Sequence, residues 1–240
     1  MKIILSRKGF DLVNGGYLSP ILDDKKLVSL PIPQKGESCL YSDLKYNNNT
    51  YLDLMKQITP IISYEKIPKT ELTFDTTCHL DPDLCKDIKP RKPGWKGSFG
   101  PDSKWQTHLK ENDVKEGDVF LFFGTFKNAV KQNGDYTFES GSPVVHLIFG
   151  YLQVGQRLCP KDDGIPAWMI GHPHAEDGSE GIIYVAKEKL SWNKKLSGSG
   201  VFDYHTDLVL TKKGYSKSRW DLPTFFREAK ISCHKKNPWK

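Results

Sequence analysis

The sequence lacks the patterns that identify most cofactor-dependent enzymes. Among its 240 residues there is no Cys-x-x-Cys pair, which argues against zinc ribbons and zinc deaminases. Neither glycine-rich phosphate-binding pattern, GxGxxG or GxxxxGK[ST], is present, which argues against dinucleotide-dependent oxidoreductases and P-loop kinases. We therefore expect a protein that works without a bound cofactor.

Long apolar runs are missing as well. No stretch approaches the length of about 20 residues that a transmembrane helix needs. The short apolar run at the N-terminus precedes Arg7 and Lys8, whereas a signal peptide has its basic residues first. The five cysteines are odd in number, which favours reduced thiols over a disulfide framework. These absences predict a cytoplasmic protein without a membrane-spanning segment.

Charge of either sign is moderate. The 35 lysines and arginines exceed the 29 acidic residues by a formal charge of +6, which permits DNA as a partner and is equally compatible with ordinary solubility. Hydrophobic residues make up 38% and aromatic residues 12%, so the chain is able to form a core. Because no repeat or low-complexity linker divides it, we predict a single domain over residues 1–240.

Two apolar segments give the strongest strand signals, residues 118–126 (DVFLFFGTF) and 144–154 (VVHLIFGYLQV). An Asn-Gly pair between them is suited to a hairpin turn. The other predicted elements are strands at 2–5, 182–186 and 207–211, helices at 51–58 and 218–228, and a turn at 23–26. The predicted fold is α+β, a single domain around a mixed or antiparallel β-sheet with long ordered loops, above all 75–109. The order of turns and strands also resembles small PUA-like barrels, which hold RNA or flipped modified bases.

Carboxylates and an imidazole are concentrated in the segment HLDPDL. Asp81 and Asp83 lie two residues apart and would face the same side of an extended segment, with His79 beside them. A fixed carboxylate next to a histidine can orient water, move a proton or stabilise positive charge on a sugar. A proline turn whose aspartates cap local amides would account for the same residues. We predict catalytic roles for His79, Asp81 and Asp83.

Basic residues at both ends of the chain are candidate DNA contacts. The segment SRKGFD places Arg7, Lys8 and Asp11 just after the first strand, where loops often carry sites. Arg7 and Lys8 are predicted to hold the DNA backbone and Asp11 to be a further catalytic carboxylate; a solvated turn is the alternative. The C-terminal segment 234–240 (HKKNPWK) combines lysines with a tryptophan, a mixture that suits phosphates and bases.

Five more side chains are predicted to bind the substrate. An aromatic ring can stack on a base and a glutamine can read its edge, which assigns Phe99, Trp105 and Gln106 to a base pocket. Aromatic residues are more often part of the core, which is the alternative. His172 and His174 are spaced like a metal pair, but no further ligand follows at a suitable spacing. We therefore assign both to substrate binding and expect no metal.

Several motifs follow one another along the chain: SRKGFD, HLDPDL, GSFG with WQTHL, the two long strand segments, HPH and SRWDLP. In this order they resemble the third of the nucleotide-modification-associated domain families. The resemblance spans almost the whole chain, although Pro101 stands where the family pattern has a glutamine. That family occurs in phages and bacteria, beside genes for DNA base hypermodification. The resemblance implies a phage or phage-defence protein that acts on DNA with modified bases.

Three functions remain open. The leading hypothesis is a DNA glycosylase that excises a bulky modified pyrimidine, such as glucosylated hydroxymethylcytosine, with Asp11, Asp81 or Asp83 stabilising the sugar and His79 orienting or protonating. The first alternative is a non-catalytic, PUA-like reader of modified bases. The second is a transferase acting on hydroxymethylated bases, which the lack of a donor-binding pattern disfavours. Convergence of Asp11, Asp81 and His79 in one pocket would favour catalysis, and dispersal would favour the reader.

Overall fold

The computed structural model describes residues 1–11, 14–64, 67–222 and 226. These residues form one large mixed β-sheet, three small two-stranded sheets, short helices and long ordered loops. The strands are β1 (Ile3–Arg7), β2 (Ser19–Ile21), β3 (Ile32–Pro33), β4 (Lys45–Tyr46), β5 (Asn49–Thr50), β6 (Ile61–Tyr64), β7 (Ile67–Glu71), β8 (Cys78–His79), β9 (Ser98–Phe99), β10 (Val119–Gln132), β11 (Asp135–Phe138), β12 (Val145–Leu158), β13 (Ile183–Ala186) and β14 (Ser199–Val201). The α-helices are α1 (Tyr51–Ile58), α2 (Ser103–Glu111) and α3 (Pro160–Asp163), and 3-10 helices cover Lys86–Ile88, Ala167–Met169 and Thr206–Leu208.

The large sheet is built around β10. This strand pairs antiparallel with β12 on one side and parallel with β1, then with β2, along its length. β12 also pairs with β14 and β13, and β13 pairs with β9, so the strand order is β1-β10-β12-β13-β9. The predicted α+β class with a mixed sheet is confirmed. The resemblance to a PUA-like barrel is wrong, because within the described residues the edge strands β1 and β9 do not pair and the sheet stays open.

Both faces of β10 are covered, which explains its uninterrupted apolar sequence. Phe120 and Phe122 are buried in a core that includes Phe99. Phe123 points the other way, into a second core closed by Trp220, whose ring lies edge-on at 5.0 Å. The two long strands thus carry a core on each side of the sheet.

Helix α1 begins and ends where the sequence predicts. Thr50 and Asp53 form a reciprocal capping box at its N-terminus. Its apolar face, which includes Leu54 and Met55, is fully buried in a separate core around Tyr41. The helix therefore fixes the loops that lead from β2 to β8 and on to the candidate site.

Four predicted segments differ from the structure or lie outside its described part. Residues 207–211 form a 3-10 turn and isolated bridges in place of a strand, because they pack over the second core instead of extending a ladder. Of the predicted helix at 218–228, the part 218–222 is a turn and a bridge, and the remainder apart from residue 226 lies outside the described residues. The tail 234–240 also lies outside them. Helix α2, inside the predicted loop 75–109, was not foreseen.

The remaining general expectations concern membranes and thiols. None of the helices in the described part of the chain has the length and apolar character to cross a membrane. The four cysteines in that part, at positions 39, 78, 85 and 159, form no disulfide. This agrees with the prediction of reduced thiols at these four positions.

Candidate active site: a buried aspartate among three histidines

Asp81 is the centre of the candidate site. Its carboxylate is fully buried, with 0% of the side chain exposed. Oδ2 accepts a hydrogen bond from Lys8 Nζ at 2.9 Å, and Oδ1 accepts one from the backbone N–H of Gly100 at 2.7 Å. Lys8 directly follows edge strand β1 and Gly100 directly follows edge strand β9. The carboxylate therefore joins the two edges of the open sheet, at a place where no backbone ladder connects them in the described residues.

Three histidines surround this carboxylate. Nε2 of His174 lies 3.7 Å from Asp81 Oδ2, and Nε2 of His172 lies 3.8 Å from Asp81 Oδ1. Nε2 of His79 lies 3.1 Å from Nε2 of His174. On the far side of its ring, His79 Nδ1 donates to Glu37 Oε1 at 2.7 Å, since an ionised carboxylate can only accept. The predicted residues His79, Asp81, His172 and His174 thus meet in one place, which we call the Asp81 cluster together with Lys8.

The charges of the Asp81 cluster follow from its burial. Burial raises the pKa of the Asp81 carboxyl, but Lys8 and then His172, His174 and His79 lower it further, so that the pKa lies below its ordinary value. Burial lowers the pKa of His172 to about 4 against the attraction of Asp81. The pKa of His174 is lowered for the same main reason. At neutral pH the Asp81 carboxylate is therefore an anion flanked by the neutral imidazoles of His172 and His174, groups that can transfer protons and stabilise positive charge.

The two other candidate carboxylates have partners of their own. Asp83 accepts two hydrogen bonds of 2.6 Å from Arg91 and a longer one from Trp95, and this ion pair is buried. Asp11 accepts from Arg7 at 2.5 Å and from the backbone N–H of Asn14 at 2.7 Å. Of the three carboxylates predicted to be catalytic, Asp81 alone is hydrogen-bonded to Lys8 and lies within 4 Å of histidine nitrogen atoms in the described contacts.

The residues predicted to line a base pocket are also separated. Phe99 is 2% exposed and belongs to the core, with its ring below Lys8 Nζ at 4.4 Å. Gln106 uses its amide on backbone groups: it donates to Ile182 O at 3.0 Å and accepts from Ile182 N at 3.0 Å. Trp105 is 46% exposed on α2 and keeps a face for a ligand. Gln106 therefore docks α2 onto the residue that precedes β13, and Trp105 is the predicted base contact that remains accessible.

A cavity of about 500 Å³ lies against the segment that carries Asp81. Asp81 and Pro82 line it, Tyr46 and Phe149 contribute rings, and Lys45 contributes a basic group among further polar side chains at the rim. Ligand pockets typically enclose roughly 300–1,000 Å³ and combine an apolar lining with a few polar groups. The cavity therefore has the size and the mixed lining of a small-molecule pocket.

Two parts of the site were missed from the sequence. Glu37 fixes the ring of His79, and Gly100 supplies both an N–H to Asp81 and room for His174, since a Cβ at Gly100 would lie 2.5 Å from the His174 ring. Neither residue stands near Asp81 in the chain, so no spacing pattern could identify them. Lys8 was predicted as a DNA-backbone contact and forms the ion pair with Asp81.

Comparison with known proteins identifies the family. No curated protein and no solved structure is similar enough to this chain to count as a match. The family described as nucleotide modification associated domain 3 matches residues 2–240, which is essentially the whole chain and includes every residue of the Asp81 cluster. The chain belongs to this nucleotide modification associated domain 3 family.

Proposed function

We propose that this chain hydrolyses the N-glycosidic bond of a bulky modified pyrimidine in DNA, at the Asp81 cluster. The observation that carries the proposal is the fully buried Asp81 carboxylate, fixed by Lys8 and the Gly100 N–H with two histidine nitrogen atoms within 4 Å. Membership of a family associated with nucleotide modification supports modified nucleotides as the substrate class.

Base removal needs charge stabilisation at the sugar, an oriented water molecule and a proton donor, and these groups can supply all three. As the bond between C1′ and the base nitrogen breaks, its electron pair leaves with the base and positive charge develops on the sugar. A fixed carboxylate stabilises that charge, which is the role proposed for Asp81. The oxygen of a water molecule then forms the new bond to C1′, oriented by His79 and His174. His79, whose Nε2 carries a lone pair, takes up one proton of the water, and Lys8 donates one proton to the departing base. Return of the proton from the imidazolium to Lys8 restores both groups.

The cavity beside the cluster is the proposed pocket for the excised base. A base cannot be reached inside the duplex, so enzymes of this kind extrude it into a pocket lined by aromatic and polar groups. Tyr46 and Phe149 offer such rings, and the volume of about 500 Å³ leaves room for a sugar attached to the base. Arg7, which is 45% exposed at its side chain and held by Asp11, is proposed to contact a phosphate, and Trp105 an exposed base.

The test is incubation of the purified chain with unmodified and glucosyl-hydroxymethylated phage DNA, once with a chelator and once with Zn²⁺. Released bases are measured by mass spectrometry and abasic sites by alkaline cleavage. We expect release from modified DNA alone, lost in Asp81→Asn and kept in Asp207→Asn, an exposed aspartate. A third variant, Asp11→Asn, tests the sequence-based role of Asp11. Intact DNA under both conditions would overturn the proposal.

A reader of modified bases is the second candidate, and the dispersal of the carboxylates favours it. Asp11 and Asp83 are engaged by Arg7 and Arg91, so one of the three predicted carboxylates remains in the cluster. The cavity would bind a base without any reaction. Tight binding that depends on the modification, with the DNA left intact, would select the reader over the glycosylase. DNA that stays intact and is bound with equal affinity whether or not it is modified would overturn both.

A further inference from the structure

Three donor atoms of the Asp81 cluster stand at the corners of a small triangle. They are Nε2 of His79, Nε2 of His174 and a carboxylate oxygen of Asp81, all within 4.8 Å of one another. Two edges of the triangle are 3.1 Å, between the imidazole nitrogen atoms, and 3.7 Å, between His174 Nε2 and Asp81 Oδ2. Ligands about 2.0–2.2 Å from a tetrahedral ion stand roughly 3.3–3.6 Å apart. The two edges given above are close to this separation and the third is at most 4.8 Å, so the triangle can close on a divalent metal ion by movement of the side chains.

The tautomer of His79 is the one that a metal ion requires. Its Nδ1 donates to Glu37 Oε1, and Gln34 Nε2 donates to the same oxygen at 3.0 Å, which holds the carboxylate in place. With the proton on Nδ1, the lone pair of Nε2 points toward His174. A carboxylate behind a ligating histidine is the usual outer partner of metal-bound imidazole. Both the orientation and the protonation of His79 are thus set before an ion binds.

His172 supplies a second, independent observation. Its side chain is 5% exposed, and its Nδ1 accepts the backbone N–H of His174 at 3.2 Å, so the proton of the neutral ring is on Nε2. That Nε2 has no hydrogen-bond partner among the described residues, yet it faces Asp81 Oδ1 at 3.8 Å. A buried donor without an acceptor is costly. When an ion binds at Oδ2 and the carboxylate adjusts slightly, Oδ1 can become the acceptor of a hydrogen bond from His172 Nε2.

From this geometry we propose that His79, Asp81 and His174 bind one divalent transition-metal ion. Two imidazoles and one carboxylate select ions such as Zn²⁺, Fe²⁺ or Co²⁺ over Mg²⁺ and Ca²⁺, which prefer oxygen ligands throughout. Lys8 is the competitor of the ion, because its ammonium group occupies the same oxygen, Asp81 Oδ2, at 2.9 Å. The sequence-based expectation that His172 and His174 bind no metal is thereby replaced for His174.

Binding of the ion stands on the geometry alone. A role of the ion in base removal rests on the proposed function. In that role the ion, and not His79 and His174, would hold the water whose oxygen forms the bond to C1′. Metal binding is therefore measured without DNA, so that failure of one proposal leaves the other testable.

The experiment is titration of the chelator-treated full chain with Zn²⁺ by calorimetry and with Co²⁺ by visible absorption. We expect one ion per chain, with the affinity reduced about 100-fold or more in His79→Ala and His174→Ala, which each remove a ligand. The affinity is unchanged in His205→Ala, because the His205 side chain is 68% exposed and interacts with Asp207 and not with the Asp81 cluster. In Lys8→Met the affinity rises about tenfold, since a positive charge is removed from the site. A purely structural hydrogen bond between the two histidines would not produce this gain.

Three results would overturn the metal site. The first is the absence of saturable one-to-one binding in the native chain. The second is binding that persists in His79→Ala and His174→Ala. The third is a cobalt spectrum with a thiolate charge-transfer band, which would place the ion on cysteines such as Cys39 and Cys78. Circular dichroism of each variant, recorded without metal, shows whether the variant folds. If one variant does not fold, the cobalt spectrum of the native chain still identifies the type of ligand.

Discussion

Nε2 of His79 and Nε2 of His174 lie 3.1 Å apart although 95 residues separate them in the chain. His79 ends β8, and His174 follows the 3-10 helix Ala167–Met169. At this distance either one ring donates a hydrogen bond to the other, or both nitrogen lone pairs coordinate one cation. The surroundings of each ring therefore control what the pair can bind.

Glu37→Gln removes the carboxylate behind His79 while keeping the size of the side chain. Because an amide no longer fixes the Nδ1–H tautomer, we expect the affinity for Zn²⁺ to fall roughly 10–100-fold. Glu180→Gln, on an exposed glutamate paired with Lys161, is the matched control and should leave the affinity unchanged. Equal affinities in both variants would show that Glu37 does not orient His79.

Gly100→Ala tests how closely His174 is packed. A Cβ at this position would lie 2.5 Å from the His174 ring, so the ring must move away from His79 and Asp81. The N–H of residue 100 would still be available to Asp81. We expect weaker Zn²⁺ binding in calorimetry and a small loss in the midpoint of thermal unfolding. Unchanged affinity would mean that the His174 ring can move without leaving the donor triangle.

Arg91→Met tests whether Asp83 is structural. The ion pair between them is buried, with side-chain exposures of 7% and 9%. Removing one partner of such a pair costs about 3–5 kcal/mol of unfolding free energy, since it leaves a buried charge unpaired. The double variant Asp83→Leu with Arg91→Met should recover part of this loss in urea denaturation. If Arg91→Met leaves stability intact yet abolishes base release, Asp83 belongs to the reaction after all.

Trp105→Ala tests the exposed face of α2 as a DNA contact. Stacking of one base on an aromatic ring contributes about 1–3 kcal/mol, so the affinity for single-stranded DNA should fall roughly tenfold or more. Trp192 is exposed to a similar degree, 57% against 46%, and Trp192→Ala is the control. Fluorescence anisotropy of labelled DNA measures both. A loss of the same size in the control would remove the specific role of Trp105.

Thr50→Ala should destabilise α1 by about 1 kcal/mol at neutral pH, the usual cost of a lost N-cap. The hydrogen bond from the Thr50 hydroxyl is the main cause that lowers the pKa of the Asp53 carboxyl. A lowered folded-state pKa contributes stability at neutral pH that is lost as the pH falls through it. The difference between the native chain and the variant should therefore shrink in acid, as measured by urea denaturation at several pH values. A difference that grows in acid would contradict the capping role.

The elements predicted correctly are those that local pattern determines. Helix α1 has a complete apolar face and a capping box within nine residues, 50–58, so its bounds follow from the sequence. The long strands β10 and β12 are apolar throughout because both their faces are covered. Helix α2 escaped prediction because it is mainly polar and is held by a tertiary contact, the amide of Gln106 against Ile182.

The candidate site, like helix α2, depends on tertiary contacts that local sequence pattern does not reveal. His79 and Asp81 were named from their sequence, but their meeting with His174 depends on the packing of distant loops. The argument that Asp81 and Asp83 face one side assumed an extended segment. The chain bends at Pro82, and the Asp83 carboxylate contacts Arg91 instead. A spacing rule thus named residues that meet in the structure, His79 and Asp81, but not the partners that they have there.

The bond from Lys8 to Asp81 and the bond from Gly100 to Asp81 connect sheet edges β1 and β9 with a side chain. In a closed barrel, main-chain hydrogen bonds between neighbouring strands would fill this seam and leave no space for reactive groups. Among the described residues the hydrogen bonds across this gap end on the Asp81 carboxylate, so they can be lost without breaking a ladder. We therefore expect amide hydrogens along this gap to exchange through local opening, well before those of β10 and β12.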